Sequence, residues 1–149
     1  MTFRIPVRRG HTLAELAAVL AAIGIALATA TPVLSRTLDA LAVRAARDAL
    51  VGELARARLL ARLHGGSAFV LDATDAAVWI ESGSGATLST PVDLEAQYGA
   101  RLDLGGESRV LVVYDRMGIG RLANRTIRLA RGAATARLTV SAYGRVRTW

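Results

Sequence analysis

The sequence predicts an α+β chain: one long N-terminal α-helix followed by an antiparallel β-sheet domain. Three observations predict it. Residues 16–34 carry no charged side chain. Apolar residues then recur at helical spacing as far as the stop His64-Gly65-Gly66. Beyond that stop the pattern changes to short alternating runs separated by turn residues. At 149 residues, the chain has room for one compact domain and an attached segment.

The uncharged run comes first. Its nineteen residues would span roughly 28 Å as a helix, close to the thickness of a hydrocarbon core. Arg4, Arg8 and Arg9 precede it, so the positive-inside rule places residues 1–10 in the cytoplasm and the remainder outside. Glu15 stands at the front of the run. An acid at the centre of a membrane helix costs about 2.5–3.5 kcal/mol on insertion scales, less near an end, and is a functional hypothesis by default. Pro32 lacks a donor N–H and is expected to kink or loosen the helix at the outer membrane surface.

Residues 35–65 continue the helix in amphipathic form. Leu38, Leu41, Ala45, Ala49 and Gly52 fall on one stripe, which is expected to pack on the domain. Asp48 is within reach of Arg44, and Glu53 of Arg56. The predicted strands are 67–72, 76–81, 109–115, 125–130, 137–141 and 145–148. Between 82 and 108 a Gly/Ser-rich, partly acidic stretch with Pro91 reads as a long loop, with short strands near Thr87 and Leu102.

Composition excludes several chemistries. There is no Cys, hence no disulfide, zinc–thiolate site or thiol nucleophile. Asp72 and Asp75 form D-x-x-D at a hairpin turn with no further oxygen ligand close in sequence, so no metal site is expected. Gly118-Ile119-Gly120 is too short for a nucleotide loop. His64 reads as a partner of the helix C-terminal dipole. No nucleophile motif is present, and neither an enzyme nor a cofactor is expected.

Charge is unevenly placed. All nineteen cations are Arg and the net charge is +7. From His11 to Asp115 there are eight Arg and twelve acids, whereas beyond Asp115 there are eight Arg and no acid. Such asymmetry suits an anionic partner or a solvated face. With Leu138 and Val140 inward, Arg137 and Thr139 face out. In Gly144-Arg145-Val146-Arg147 the two arginines share the outward side, about 6.5–7 Å apart, with Tyr143 and Trp149 beside them. Arg125 and Arg128 fall on opposite faces of their strand, so at most one joins this patch.

Three readings of the N-terminus are open. Ala28-Thr29-Ala30 fits the cleavage site of a secretory signal peptide; the length and flanking arginines fit a plain signal anchor; and the order of residues fits a third pattern. "GHTLAELAAVLAAIGIALATATP", residues 10–32, resembles the N-terminus of type IV pilins and pseudopilins. Gly10, Thr12, Leu13, Glu15, the apolar run and Pro32 carry the resemblance. His11 departs from it, since that position is usually Phe or Met. The later segments "LARARLLARLHGGSAFVLDATDAAVWI", "VLVVYDRMGIG" and "RLTVSAYGRVRTW" are similar to the helix end, a strand with its Gly turn, and the terminal hairpin of the GspH/FimT group of minor pseudopilins.

The resemblance implies a pilin-like fold divided into a cleaved leader (1–10), a transmembrane and assembly half-helix (11–34), an amphipathic half-helix (35–65) and a periplasmic β-rich domain (66–149). It implies cleavage between Gly10 and His11 by a prepilin peptidase, with methylation of the His11 amine. It implies assembly through Thr12, Leu13, Glu15 and Pro32 with other pilins and an inner-membrane platform, in a type II secretion or type IV pilus system. Glu15 would pair with the amine of a neighbouring subunit. The localisation implied is a single pass of the inner membrane, then a filament. Within the group, FimT-like minor pilins of DNA uptake carry a G-R-x-R element. Here it matches Gly144, Arg145, Val146 and Arg147, so that DNA, held by Arg145 and Arg147 with Gly144, Arg137 and Tyr143, is the alternative partner.

Overall fold

The computed structural model describes residues 12–121 and 124–149. Helix α1 runs from Leu13 to His64. Gly65 follows at φ 77°, in the left-handed region that ends helices without a Cβ penalty. The chain separates into two compact units, Met1–Ser35 and Arg36–Trp149.

In the first unit the described residues are helical from Leu13, and the helix continues through Pro32 unbroken. The hydroxyls of Thr29, Thr31 and Ser35 bond back to the carbonyls of Ala26, Leu27 and Pro32 at 2.9, 2.7 and 3.1 Å, which keeps these polar groups satisfied within an apolar helix. Every described residue here is exposed.

The second unit is a helix packed on two antiparallel sheets. Its strands are β1 (Gly66–Asp72), β2 (Ala77–Ser82), β3 (Val92–Asp93), β4 (Arg101–Asp103), β5 (Arg109–Asp115), β6 (Gly120–Arg121), β7 (Arg125–Arg131), β8 (Ala134–Val140) and β9 (Val146–Thr148). One sheet has the order β3-β2-β1-β5-β6 and the other β4-β7-β8-β9. The core joins Val43, Ala46, Leu50, Leu54, Ala57 and Ala61 of α1 to the inward positions of both sheets: Phe69, Leu71, Val78, Ile80, Val110, Val112 and Tyr114 from the first, Ile127, Leu129, Leu138 and Val140 from the second. The helix is tied to the first sheet by Ser67 Oγ, which donates to Ala57 O at 2.8 Å. Arg131 of β7 donates to Asp39 of α1 at 2.9 Å and to Tyr98 O at 2.6 Å.

Here the helix departs from the expected stripe. Leu38 and Leu41 are 51% and 55% exposed, and Ala45 and Gly52 are exposed too. The buried stripe is rotated to Val43, Ala46, Leu50, Leu54, Ala57 and Ala61. The physical reason lies in partners elsewhere in the unit: Asp39 is held by Arg131 of β7 and the Ala57 carbonyl by Ser67 of β1, and these bonds fix which side of the helix faces the sheets. Arg56 meets Glu53 at 3.6 Å as expected, but Asp48 pairs with Arg47.

The stretch expected to be mostly loop contains more order. Leu102 lies in β4, whereas Thr87 forms a single bridge to Glu81. Between them a short helix, α2 (Leu94–Tyr98), begins at Asp93, whose side chain accepts from Ala96 N at 2.8 Å. It stops at Gly99, φ 63°. Five residues are too few to produce a periodic signal, but the Asp cap and Gly stop were present.

Candidate functional site

Two regions carry the candidate residues. The first is the start of α1. Gly10 and His11, the expected cleavage site, lie outside the described residues. Thr12 and Glu15 bond each other reciprocally: Thr12 N donates to Glu15 Oε2 and Glu15 N to Thr12 Oγ1, both at 3.2 Å. This is a capping box, satisfying two of the donors that a helix start leaves open. The T-x-x-E signature before an apolar run signalled it, and the sequence reading gave Glu15 only a role between subunits. From Leu13 the helix is long and apolar enough to cross a membrane, and its apolar stretch is not buried against the rest of the described residues.

The second region is the outward face of the four-stranded sheet. Strand alternation puts Ile127, Leu129, Leu138 and Val140 in the core, and so turns Thr126, Arg128, Arg137 and Thr139 out. The register sets Arg128 directly opposite Arg137, Asp103 opposite Arg128, and Arg147 opposite Thr139. Trp149 pairs with Arg137 through both backbone bonds, at 3.3 and 3.0 Å. One row therefore reads Asp103, Arg128, Arg137, Trp149 across four strands. Like charges directly opposite one another destabilise a sheet unless a counter-charge intervenes. Asp103 approaches Arg128 only at 3.9 Å. Among the described residues no carboxylate is paired with Arg137, Arg145 or Arg147. Arg125 turns elsewhere and pairs with Glu107 at 2.6 Å. Tyr143 and Trp149 are 80% and 72% exposed.

Gly144 sits under this face and not on it. It is buried at φ 78°, and its N–H closes the turn on Ser141 O at 2.7 Å. Arg145 N donates to Ser141 Oγ at 3.0 Å. A Cβ at Gly144 would lie 2.7 Å from the Tyr114 ring and 3.1 Å from Arg58 Nη2; one at Gly120 would lie 2.5 Å from Gly144 N. Gly120 N donates to Tyr143 O at 3.2 Å. The terminal hairpin that carries Arg145 and Arg147 is thus seated on β6, Tyr114 and Arg58. Sequence reading gave Gly144 a contact role and did not find Gly120, Tyr114 or Arg58, which no motif marks.

Beneath the hairpin lie a guanidinium and a phenol. Arg58 lies 5.5 Å from the centroid of the Tyr114 ring, and among the described residues neither Tyr114 Oη nor Arg58 Nε has a partner in full hydrogen-bond geometry. Burial pushes the Tyr114 phenol above its ordinary pKa, more strongly than the nearby Arg58 charge lowers it. The adjoining β5–β6 turn is held by Asp115, whose Oδ1 accepts from Met117 N and Ile119 N, both at 2.9 Å. These backbone bonds, that from Ile119 first, hold its carboxyl below the usual range. Compared with protein-family models, curated proteins and solved structures, the chain matches none.

Proposed function

We propose that this chain is a minor pilin or pseudopilin of the GspH/FimT kind, a non-catalytic subunit of a type II secretion or type IV pilus filament. The observation that carries the reading is the capped, uncharged, exposed half of α1 continuing into a helix packed on antiparallel sheets. In this reading the chain crosses the inner membrane once, with residues 1–10 cytoplasmic and the sheets periplasmic. A prepilin peptidase cuts between Gly10 and His11. Thr12, Leu13, Glu15 and Pro32 then belong to a surface that meets other pilins and the membrane assembly platform. On the second unit, Leu38, Leu41 and Ala45 are outward as well, and in this reading they form a contact of their own, since exposed apolar side chains in series on a folded domain mark a contact. Intact-mass measurement of the membrane-extracted protein tests this. The expected species begins at His11, with or without one methyl group. A species beginning at Thr31, or an uncut chain beginning at Met1, refutes it.

A second reading rests on Arg137, Arg145 and Arg147, for which no carboxylate partner is found among the described residues. In it the protein is a FimT-like minor pilin that holds DNA during uptake through Arg145, Arg147, Arg137 and Tyr143, with Arg128 beside them and Gly144 fixing the hairpin. Full-length protein in detergent should then retain DNA without sequence preference, with log affinity falling against log salt by about 0.9 per phosphate contacted. Replacing Arg145 and Arg147 by Gln should remove most of the binding and flatten that slope by about 2. Failure to retain DNA at low salt refutes this reading and leaves the first intact.

A further inference from the structure

Three turns of the second unit meet where α1 stops. Arg62 Nε, in the last turn of the helix, donates to Met117 O at 3.1 Å. A Cβ at Gly118 would lie 3.2 Å from Arg58 O, so the β5–β6 turn rests on α1. Gly120 N donates to Tyr143 O, so the β8–β9 turn adjoins the β5–β6 turn. Turns ordinarily carry small polar residues, but this end exposes large apolar ones. Leu63, Met117 and Ile119 are 69%, 62% and 45% exposed, beside the exposed Tyr143. They do not sit on loose loops. Asp115 Oδ1 fixes the N–H groups of both Met117 and Ile119, and Ser141 accepts from Gly144 N and Arg145 N at the base of the other turn. The fold holds these side chains out in water.

Charge separates in the same direction. Arg62, Arg116, Arg121 and Arg145 are exposed at this end. Among the described residues none of the four is in an ion pair. The acids here, Asp115 and Glu81, are half-buried and engaged. Asp115 holds its turn and acts on Arg116 and Arg121 at longer range. Glu81 accepts from Trp79 and Arg109. The exposed acids Asp75, Asp93, Glu95, Asp103 and Glu107 stand elsewhere: in the β1–β2 turn, in α2 and its cap, in β4 and in the β4–β5 connection.

We propose that the end of the second unit at which α1 stops is a docking site for an anionic lipid bilayer. Each part of it has a place in such an interface. The guanidiniums stand at the level of the phosphates, and Tyr143 lies among the head groups. Leu63, Met117 and Ile119 enter the outer hydrocarbon to a depth of about 5–10 Å. Nucleic acid would satisfy the arginines but offers no hydrocarbon to those three. A folded acidic protein would need a fixed surface matching tips on three separate elements, whereas a fluid bilayer adapts to each. The contact is distinct from the apolar half of α1 and rests on neither functional reading above.

Vesicle flotation tests it. Full-length protein is held in nanodiscs of phosphatidylcholine, which supply no anionic lipid of their own, and mixed with vesicles. Vesicles of mixed phosphatidylglycerol and phosphatidylcholine should carry the discs upward at low salt, and vesicles of phosphatidylcholine alone should not. An arginine near an anionic surface is worth about fivefold in affinity, so Arg116→Gln with Arg121→Gln should weaken recruitment about thirtyfold. Met117→Ser with Ile119→Ser leaves the backbone bonds to Asp115 in place and should weaken it about tenfold, with circular dichroism and thermal melting unchanged. No recruitment, equal recruitment to both vesicles, or recruitment unchanged by the two Ser substitutions overturns the inference. So does binding of duplex DNA that the Ser substitutions weaken to the same degree, because this end is then a nucleic-acid surface.

Discussion

Replacing Gly120 by Ala probes the seat of the terminal hairpin without any backbone strain of its own, since Gly120 is not in the left-handed region. The added methyl would lie 2.5 Å from Gly144 N, 2.7 Å from Gly144 Cα and 3.0 Å from Tyr143 C. All three are backbone atoms, which cannot rotate away as a side-chain tip would. The hairpin must lift or β6 must shift, and overpacking of this kind costs about 1–3 kcal/mol. For a unit the size of Arg36–Trp149, roughly 4 °C of melting temperature accompanies each kcal/mol, so a fall of about 4–12 °C is expected. Thermal unfolding of the full chain in detergent, followed by near-UV circular dichroism, measures it. Gly144→Ala should cost more, because its φ of 78° adds about 1–2 kcal/mol of left-handed strain. The two changes share one contact, so the double variant should fall short of the sum. A Gly120→Ala protein melting within about 1 °C of the parent would refute the reasoning, because methyl groups that disturb a packed junction do not go unnoticed.

Three further outcomes are expected. Gly52→Ala, at an exposed helical site with nothing within 4 Å, should raise stability by about 0.5–1 kcal/mol through helix propensity, read by denaturant unfolding; if the outward stripe meets other subunits, the same variant should assemble less well. Arg131→Ala removes a bridge from β7 to Asp39 and Tyr98 O and should cost about 1–3 kcal/mol, as for hydrogen bonds to a charged group, toward the lower end because Arg131 is 39% exposed. Asp115 has a folded pKa below its unfolded value of 3.8; its contribution is therefore complete above that value and is lost as pH falls through the folded pKa. Hydrogen exchange at Met117 and Ile119, corrected for intrinsic rates, should show constant protection from neutral pH down to about pH 5 and a loss below about pH 4.

The fold was legible wherever one local signal dominated. Gly65 and Gly66 marked the helix end, and six strands were legible because alternation and turn residues coincided. Helix rotation was not, because Leu38, Leu41 and Ala45 are as apolar as Val43, Ala46 and Leu50, and hydrophobicity alone cannot choose between them. The choice was made by distant partners, Asp39 with Arg131 and Ala57 with Ser67, separated by 92 and 10 residues. β6, two residues long, exists only because β5 and the hairpin accept it. Of the candidate residues, the alternation of Arg137, Arg145 and Arg147 could be read from period two. That Arg128 stands opposite Arg137 depended on register, which the loop length did not reveal. The capping box of Thr12 and Glu15 is legible as T-x-x-E before an apolar run, and the same acid also fits a charge at the edge of a membrane segment, so the sequence supports two roles for one side chain.

Tyr114 gives the molecule an internal reporter. Its ring is wedged between the helix, through Arg58, and the backbone of the terminal hairpin at Gly144, and its buried hydroxyl has the Arg58 side chain as its polar neighbour. Because burial raises its pKa above 10.0, the phenolate can form in the native chain only above the pH at which an unfolded tyrosine ionises. The stability tied to that phenol is complete below pH 10 and drains away as pH rises through the folded value. With Tyr98 and Tyr143 replaced by Phe, the ultraviolet band of the remaining phenolate registers the parting of helix, sheet and hairpin as a single optical event, with no label attached.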